Sequence, residues 1–310
     1  MTKPALLMTG SYPAWDLEEM EARYRVLRLW ETSDPEAFLA EHGPEVRAIA
    51  TRGDLGASAT LMAVLPKLEI VACYGVGTDA IDLAHTRAAG IRVTNTPDVL
   101  TDDVADMAVA LLLAAARQIP QGDAEVRKGG WAMPLTTRVS GKAVGIVGMG
   151  RIGAAVARRL AAFDADIAYF GRTRRDDLPY TFEADLVGLA RRSEFLIITL
   201  AANDATSGIV NAKVLEALGP DGILVNVSRG STLDETALLA ALEAGAIKAA
   251  GLDVFWNEPA IDPRFGALPN VALAPHHASG TVETRKAMGQ LVRDNLAAHF
   301  AGHSLITPVA

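Results

Sequence analysis

Cysteine is nearly absent from this sequence of 310 residues: Cys73 stands alone. No internal disulfide can form, and an oxidising compartment is not required. Positive charge is also in the minority, and the net charge of −8 argues against a nucleic-acid partner. A few local arginines can still attract an anionic substrate inside an acidic protein. Long apolar runs are missing too. The longest, residues 107–116, falls well short of the ~20 residues that span a bilayer, so no membrane partner is expected. The opening stretch from Met1 to Pro13 lacks the apolar core of about 7–15 residues and the cleavage site of a secretory leader. A cytoplasmic location is the expectation. Neither an internal repeat nor a low-complexity tract is visible. What remains, 50% apolar and 21% charged residues, is the balance of a globular protein, and the length favours two domains over one core.

The first hundred residues alternate short β-like runs with helical periods. Residues 5–8, 46–50, 69–73 and 91–94 read as buried strands, and 17–29, 35–41, 58–65 and 82–89 as helices. This alternation implies a parallel sheet with helices on both faces. A loop at Thr96-Pro97-Asp98 precedes a long helix from Thr101, with Asp102 and Asp103 where carboxylates suit the helix dipole. A second α/β run begins at Lys142. Its strands are expected at 143–147, 167–170, 195–199, 222–226, 249–252 and 271–274, and a last helix over 281–300. The fold class is therefore α/β, with two doubly wound parallel-sheet domains: residues 1–99 with 286–310, and residues 100–285. Helices that connect domains in this way usually flank a ligand cleft.

Strand 143–147 runs into Gly148-Met-Gly150-Arg151-Ile152-Gly153 and then an Ala-rich helix. A dinucleotide needs these glycines. Gly148 permits the tight turn, Gly150 lets backbone approach the pyrophosphate, and Gly153 lets helix pack on strand. The helix start at Arg151 and Ile152 offers free N–H groups to the phosphates. A ligand-free glycine turn is the alternative; the flanking strand, helix and second strand weigh against it. An NAD enzyme places Asp or Glu at the end of that second strand, roughly 20 residues after the motif. Here the strand ends in Gly171-Arg172-Thr173-Arg174-Arg175, with no acid before Asp176. Arg172, Thr173 and Arg174 suit a 2′-phosphate, because guanidinium forks bind phosphate oxygens in pairs and a carboxylate would repel them. NADP(H) rather than NAD(H) is expected, against the alternative of a solvated basic loop.

Three polar signals follow at strand ends, where open α/β sheets place ligands. They are Asn226-Val227-Ser228-Arg229-Gly230, the stretch from Asp253 to Glu258-Pro259, and Pro275-His276-His277. Reduction of a 2-keto acid requires a cation for the carboxylate and ketone, an acid to protonate the oxygen, and a group that keeps that acid charged. Arg229, His276 and Glu258 fit these roles in that order. Singly, Arg229 also fits a surface ion pair, Glu258 a solvated loop residue and His276 a helix cap. His277 is the rival proton donor. Joint occurrence behind a nucleotide motif favours the catalytic reading.

Together these stretches resemble the D-isomer-specific 2-hydroxyacid dehydrogenases over essentially the whole chain. The likeness extends to Tyr74-Gly-Val-Gly-Thr-Asp79, residues 95–106 and the closing Leu305-Ile-Thr-Pro-Val309. It is near the branch of glyoxylate/hydroxypyruvate, hydroxyphenylpyruvate and 2-ketogluconate reductases. The resemblance implies a flavodoxin-like substrate domain, a Rossmann cofactor domain and Arg229, Glu258 and His276 as the catalytic triad. It also implies that the N–H groups of Val76 and Gly77 hold the substrate carboxylate beside Arg229 and His276. Thr101, Val227, Asp253 and Gly280 would lie at the cofactor, Asp253 orienting the nicotinamide carboxamide. A homodimer built on the cofactor domains is implied as well. Ala201-Ala202-Asn203 departs from the Pro-Leu-Thr of many relatives, which puts contacts on the adenosine side in doubt. Trp131 and Met133 stand where relatives set substrate size, and Arg52 is a candidate for a substrate hydroxyl or carboxylate, or else a surface residue. The expected activity is NADPH-dependent reduction of glyoxylate and hydroxypyruvate to D-2-hydroxy acids. The alternative within the class is a 2-ketogluconate or aryl-pyruvate reductase; a non-catalytic NADP sensor, from another class, would be expected to lack one of Arg229, Glu258 or His276, and all three are present.

Overall fold

The computed structural model describes residues 3–309; Met1 and Thr2, at the head of the stretch read for a leader, and Ala310 lie outside the described residues. The chain up to Leu100 joins Gly280 onward in one compact unit, and Thr101–Ser279 form a second.

The first unit runs β1 (Ala5–Met8), α1 (Ala14–Arg23), β2 (Arg25–Arg28), α2 (Pro35–His42), β3 (Val46–Arg52), α3 (Ala59–Ala63), β4 (Ile70–Tyr74), α4 (Leu83–Ala89) and β5 (Arg92–Thr94). Its sheet has the order β2-β1-β3-β4-β5 with every strand pair parallel. That is the flavodoxin-like order, with its switch point between β1 and β3. The apolar runs of β1 and β4 are buried at every position, as strands covered on both faces must be. Asp34, Ser58 and Asp82 cap their helices by accepting backbone N–H groups, and Gly90 ends α4 at φ +69°.

The expected helix over 17–29 is corrected here: α1 stops at Arg23, and Arg25–Arg28 pair with β1 as an edge strand. Leu17, Met20, Tyr24 and Leu27 keep a helical spacing in sequence, which hid the strand. Leu27, opposite Leu7, nevertheless goes into the sheet's core. Arginines at both ends of the strand suit an edge, where charge discourages further pairing. The helix over 58–65 shortens to α3.

The second unit opens with α5 (Thr101–Arg117) and α6 (Ile119–Arg127), the latter not anticipated. Then follow β6 (Ala143–Val147), α7 (Arg151–Ala161), β7 (Asp166–Phe170), β8 (Thr181–Phe182), α8 (Leu186–Arg192), β9 (Phe195–Ile198) and α9 (Ala212–Leu218). The unit finishes with β10 (Ile223–Asn226), α10 (Glu235–Glu243), β11 (Ala249–Leu252), α11 (Arg264–Ala267) and β12 (Val271–Leu273). Its parallel sheet has the order β12-β11-β10-β9-β6-β7-β8, a Rossmann arrangement that reverses between β6 and β9. Helix α5 lies so close over β11 that a side chain at Gly251 would meet the Leu111 carbonyl at 2.9 Å.

The last helix, α12 (Val282–Phe300), belongs to the first unit. Residues 280–285, read from sequence with the second domain, are drawn there by two bonds. Tyr74 Oη donates to the Arg285 carbonyl at 2.7 Å, and Thr284 Oγ1 to the Val99 carbonyl at 3.1 Å.

Candidate active site

Strand β6 ends at the reversal point of the second sheet, where the chain turns through Gly148, Gly150 and Gly153. Gly148 has φ +103°, and a Cβ there would lie 2.6 Å from the Leu200 backbone. At Gly153 a Cβ would lie 2.1 Å from the Gly148 carbonyl, so only glycine lets the helix close on the turn. Thr199 Oγ1 donates to that same carbonyl at 2.6 Å. Gly150 differs: a Cβ would meet nothing within 4 Å. The backbone there faces open space, at the N-cap of a helix with no side-chain cap. Arg151 and Ile152 start this helix, so its first N–H groups suit a pyrophosphate.

The basic segment after β7 is partly committed already. Arg174 pairs with Asp176 at 2.9 Å. Arg175 pairs with Asp177 and also donates to the Met149 carbonyl at 3.2 Å, tying this segment to the glycine turn. Arg172 and Thr173 are exposed, and neither has a hydrogen bond or ion pair among the described residues. A phosphate in this segment would therefore find its readiest cation at Arg172. The role of Arg175 escaped the sequence reading, because it depends on Met149 lying close in space.

Strand β10 delivers Arg229. The Asn226 side chain organises the turn, accepting from Ser228 N at 3.0 Å and donating to the Arg229 carbonyl at 3.0 Å. Val227 is buried in this turn. Gly230 is required by a second loop: a Cβ would lie 2.1 Å from the Phe255 carbonyl carbon. That loop follows β11 and carries Glu258. Both N–H donors of Trp256 fasten it, the backbone to Glu235 Oε1 and the indole to the Leu233 carbonyl, each at 2.7 Å. Neither Glu235 nor Trp256 carried a sequence signal for this, since the partners are brought together only by the sheet.

Glu258 and His276 meet. His276 Nδ1 stands 2.6 Å from Glu258 Oε2, while Glu258 Oε1 accepts Phe255 N–H at 2.7 Å. Their side chains are 32% and 27% accessible, respectively, half-withdrawn but reachable. Burial pushes the Glu258 carboxyl up. The His276 hydrogen bond, the Phe255 N–H and the nearby positive charges of His276 and Arg229 outweigh that, so it lies below its usual range. An ionised carboxylate accepts from Nδ1, which leaves Nε2 to carry a transferable proton. His277, the rival, is exposed and lies outside this pair.

Asp253 builds the turn that bears the histidine. Its two buried carboxylate oxygens accept His277 N at 2.8 Å and Ala278 N at 3.0 Å, and its carbonyl accepts His276 N at 2.7 Å. These bonds hold His276 at φ +51°, a backbone conformation uncommon for a residue with a side chain. Burial nevertheless raises the Asp253 carboxyl above its ordinary range, the two N–H groups offsetting only part of it. Thr101 opens α5 in the same unit, whereas Gly280 falls in the first unit.

In the first unit, β4 leads into the Gly75–Gly77 loop. The Gly75 carbonyl accepts Thr96 N at 2.9 Å, the Val76 carbonyl accepts Asn95 Nδ2 at 2.8 Å, and the Cys73 thiol approaches the Gly77 carbonyl at 3.5 Å. With the carbonyls turned inward, the N–H groups of Val76 and Gly77 have no acceptor among the described residues. Such paired, unspent N–H groups suit a carboxylate. Arg52 instead grips Asp54 through Nε at 3.0 Å and Nη2 at 2.5 Å. In the second unit Trp131 is 90% exposed and Met133 42%.

The second unit thus gathers an arginine and a histidine–carboxylate pair on neighbouring strand-end loops, in the same Rossmann sheet as the glycine turn after β6. Residues 109–278 match the D-isomer specific 2-hydroxyacid dehydrogenase, NAD binding domain. The chain is 47% identical to hydroxyphenylpyruvate reductase of Plectranthus scutellarioides over 94% of each protein. It is 55% identical to a solved 2-hydroxyacid dehydrogenase of Ketogulonicigenium vulgare Y25, with a TM-score of 0.92 across 100% of this chain and 99% of that one. An NADPH-dependent glyoxylate/hydroxypyruvate reductase of Sinorhizobium meliloti, solved with NADP and malonate, is 43% identical at a TM-score of 0.92, covering 100% of this chain and 97% of that one. This chain belongs to the D-isomer specific 2-hydroxyacid dehydrogenase family, close to its glyoxylate/hydroxypyruvate reductase branch.

Proposed function

We propose that this chain is an NADP(H)-dependent reductase of glyoxylate and hydroxypyruvate that forms D-2-hydroxy acids. The observation that carries the reading is the 2.6 Å pair of His276 and Glu258, with the Glu258 loop packed directly on the Gly230 backbone beside Arg229. Arg229 binds the substrate carboxylate and polarises the ketone. His276 gives its Nε2 proton to the ketone oxygen, and Glu258 holds the imidazole by Nδ1 and balances its charge. The N–H groups of Val76 and Gly77 take the carboxylate. When bound, the nicotinamide supplies the hydride. Gly148, Gly150 and Gly153 with the N–H groups of Arg151 and Ile152 hold the pyrophosphate, and Arg172, Thr173 and Arg174 hold the 2′-phosphate. Thr101, Val227, Asp253 and Gly280 complete the cofactor contacts.

Support for NADP(H) comes from Arg172, which has no ion-pair partner among the described residues, and from the Sinorhizobium meliloti relative, which was solved with NADP. A homodimer fits the exposed apolar side chains of α6 and beyond: Ile119, Val126, Trp131 and Leu135. A cytoplasmic site fits the single, buried, reduced Cys73. The test is a panel of 2-keto acids with NADPH and NADH side by side. Efficiency on glyoxylate or hydroxypyruvate with NADPH should exceed all other combinations. A clearly higher value on 2-ketogluconate or on hydroxyphenylpyruvate, the substrate in the Plectranthus relative's name, would overturn the substrate assignment. Sedimentation should give a dimer.

A further inference from the structure

The closing Leu305–Val309 stretch has no part in the chemistry above, yet it is bonded into the first unit with unusual completeness. Val309 N donates to the Val93 carbonyl at 2.8 Å, and Pro308 forms an antiparallel bridge with Thr94. Segment 307–309 thus covers the free edge of β5. Asn295 of α12 is fully buried and holds the stretch from behind. Its Oδ1 accepts Ile306 N at 2.9 Å and Thr307 N at 3.1 Å, and its Nδ2 donates to Thr307 Oγ1 at 2.8 Å. Thr307 Oγ1 then donates to the Asn95 carbonyl at 2.6 Å, and Asn95 Nδ2 donates to the Val76 carbonyl at 2.8 Å.

The bonds run from the Asn295 amide to the Thr307 hydroxyl, from that hydroxyl to the Asn95 backbone carbonyl, and from the Asn95 amide to the Val76 carbonyl. The chain of bonds ends on the Val76 carbonyl, which shares its peptide plane with the Gly77 N–H and points opposite to it. A carbonyl released from Asn95 is free to rotate toward a bound anion and repel it. We propose that Asn295, Thr307 and Asn95 are positioning residues that brace the Val76–Gly77 loop for the substrate carboxylate. This rests on the reading that Val76 and Gly77 bind that carboxylate.

The test uses Thr307→Val, which keeps the shape and removes both hydroxyl bonds, Asn95→Ala at the other end, and Thr307→Ser as the rescue. For Thr307→Val and Asn95→Ala, KM for glyoxylate should rise about fivefold or more, the scale of one lost hydrogen bond. KM for NADPH and kcat should stay within about twofold. Amide exchange at residues 75–78 should quicken in both, and Thr307→Ser should behave as wild type. The brace is overturned if KM for glyoxylate stays put while melting temperature falls. It is equally overturned if both KM values rise together, or if Thr307→Ser fails to restore. Failure of the underlying reading shows separately, as a wild-type protein that turns over no small 2-keto acid with NADPH.

Discussion

Beyond the carboxyl ends of its strands the second sheet presents polar side chains: Arg229, Glu258 and His276. The first sheet presents backbone, the N–H groups of Val76 and Gly77, with the nearby Arg52 already committed to Asp54. Both sheets are doubly wound and parallel, so the difference lies in what the loops can do. A histidine or carboxyl side chain can pass a proton, but burying a charged group costs free energy that other bonds must offset, as the raised Asp253 carboxyl records. Backbone N–H groups are far too weakly acidic to serve as proton donors to a substrate at neutral pH. They keep their polarity through any substitution that preserves the loop, so their weakness is displacement rather than mutation.

The comparison breaks most visibly at His276. Replacing it with Ala should lower kcat by about 10²-fold or more while NADPH binding persists, checked by steady-state kinetics and a cofactor titration. Retained turnover would remove His276 as the proton donor. Glu258→Gln should cost less, on the order of tenfold, since Gln still accepts from Nδ1 but brings no charge. A loss equal to that of His276→Ala would mean that Glu258 does more than hold the imidazole.

Gly230→Ala asks whether the Arg229 and Glu258 loops are interlocked. A Cβ 2.1 Å from Phe255 forces one of them aside, so stability should fall by about 1–3 kcal/mol in denaturant melts, with kcat reduced. Wild-type behaviour would show that the loops move independently. Arg172→Ala should raise KM for NADPH about tenfold and leave NADH nearly unchanged, the worth of one charge-assisted hydrogen bond. Equal effects on both cofactors would take Arg172 away from the 2′-phosphate.

The smallest effect is one of pH. The folded Glu258 carboxyl lies below its ordinary value of 4.5, so its ionised form stabilises the fold above that pH. The stabilisation is lost as pH falls through the lower folded value. The melting-temperature difference between wild type and Glu258→Gln should therefore hold steady above about pH 5 and shrink below it. A difference that persists undiminished to pH 3 would contradict the direction of the shift.

Legibility in the sequence followed locality. The glycine turn was readable because its reasons lie within a few residues: a positive φ at Gly148 and the closure of Gly153 on the Gly148 carbonyl. The central strands were readable because burial on both faces makes them unbroken apolar runs. Strands β2 and β8 were not: one is flanked by arginines and the other is two residues long, so neither holds enough apolar positions to distinguish strand from helix. The bonds of Glu235, Trp256 and Arg175 leave no local signal for a related reason. Their partners lie 21, 23 and 26 residues away and meet them only when strands align.

The sequence by itself determined that the chain is α/β, that a dinucleotide turn follows β6, and that its second strand ends in cations rather than an acid. Each of those depends on residue type and short spacing, which local sterics and charge translate directly. Only the tertiary structure decided that Glu258 faces His276 and not His277, because the turn held by Asp253 sets which imidazole comes round. It alone decided that Arg172, among the cations of its loop, has no acid partner among the described residues. Parallel sheets bring distant strand ends into register, and a spacing of 18 residues between Glu258 and His276 says nothing until they do.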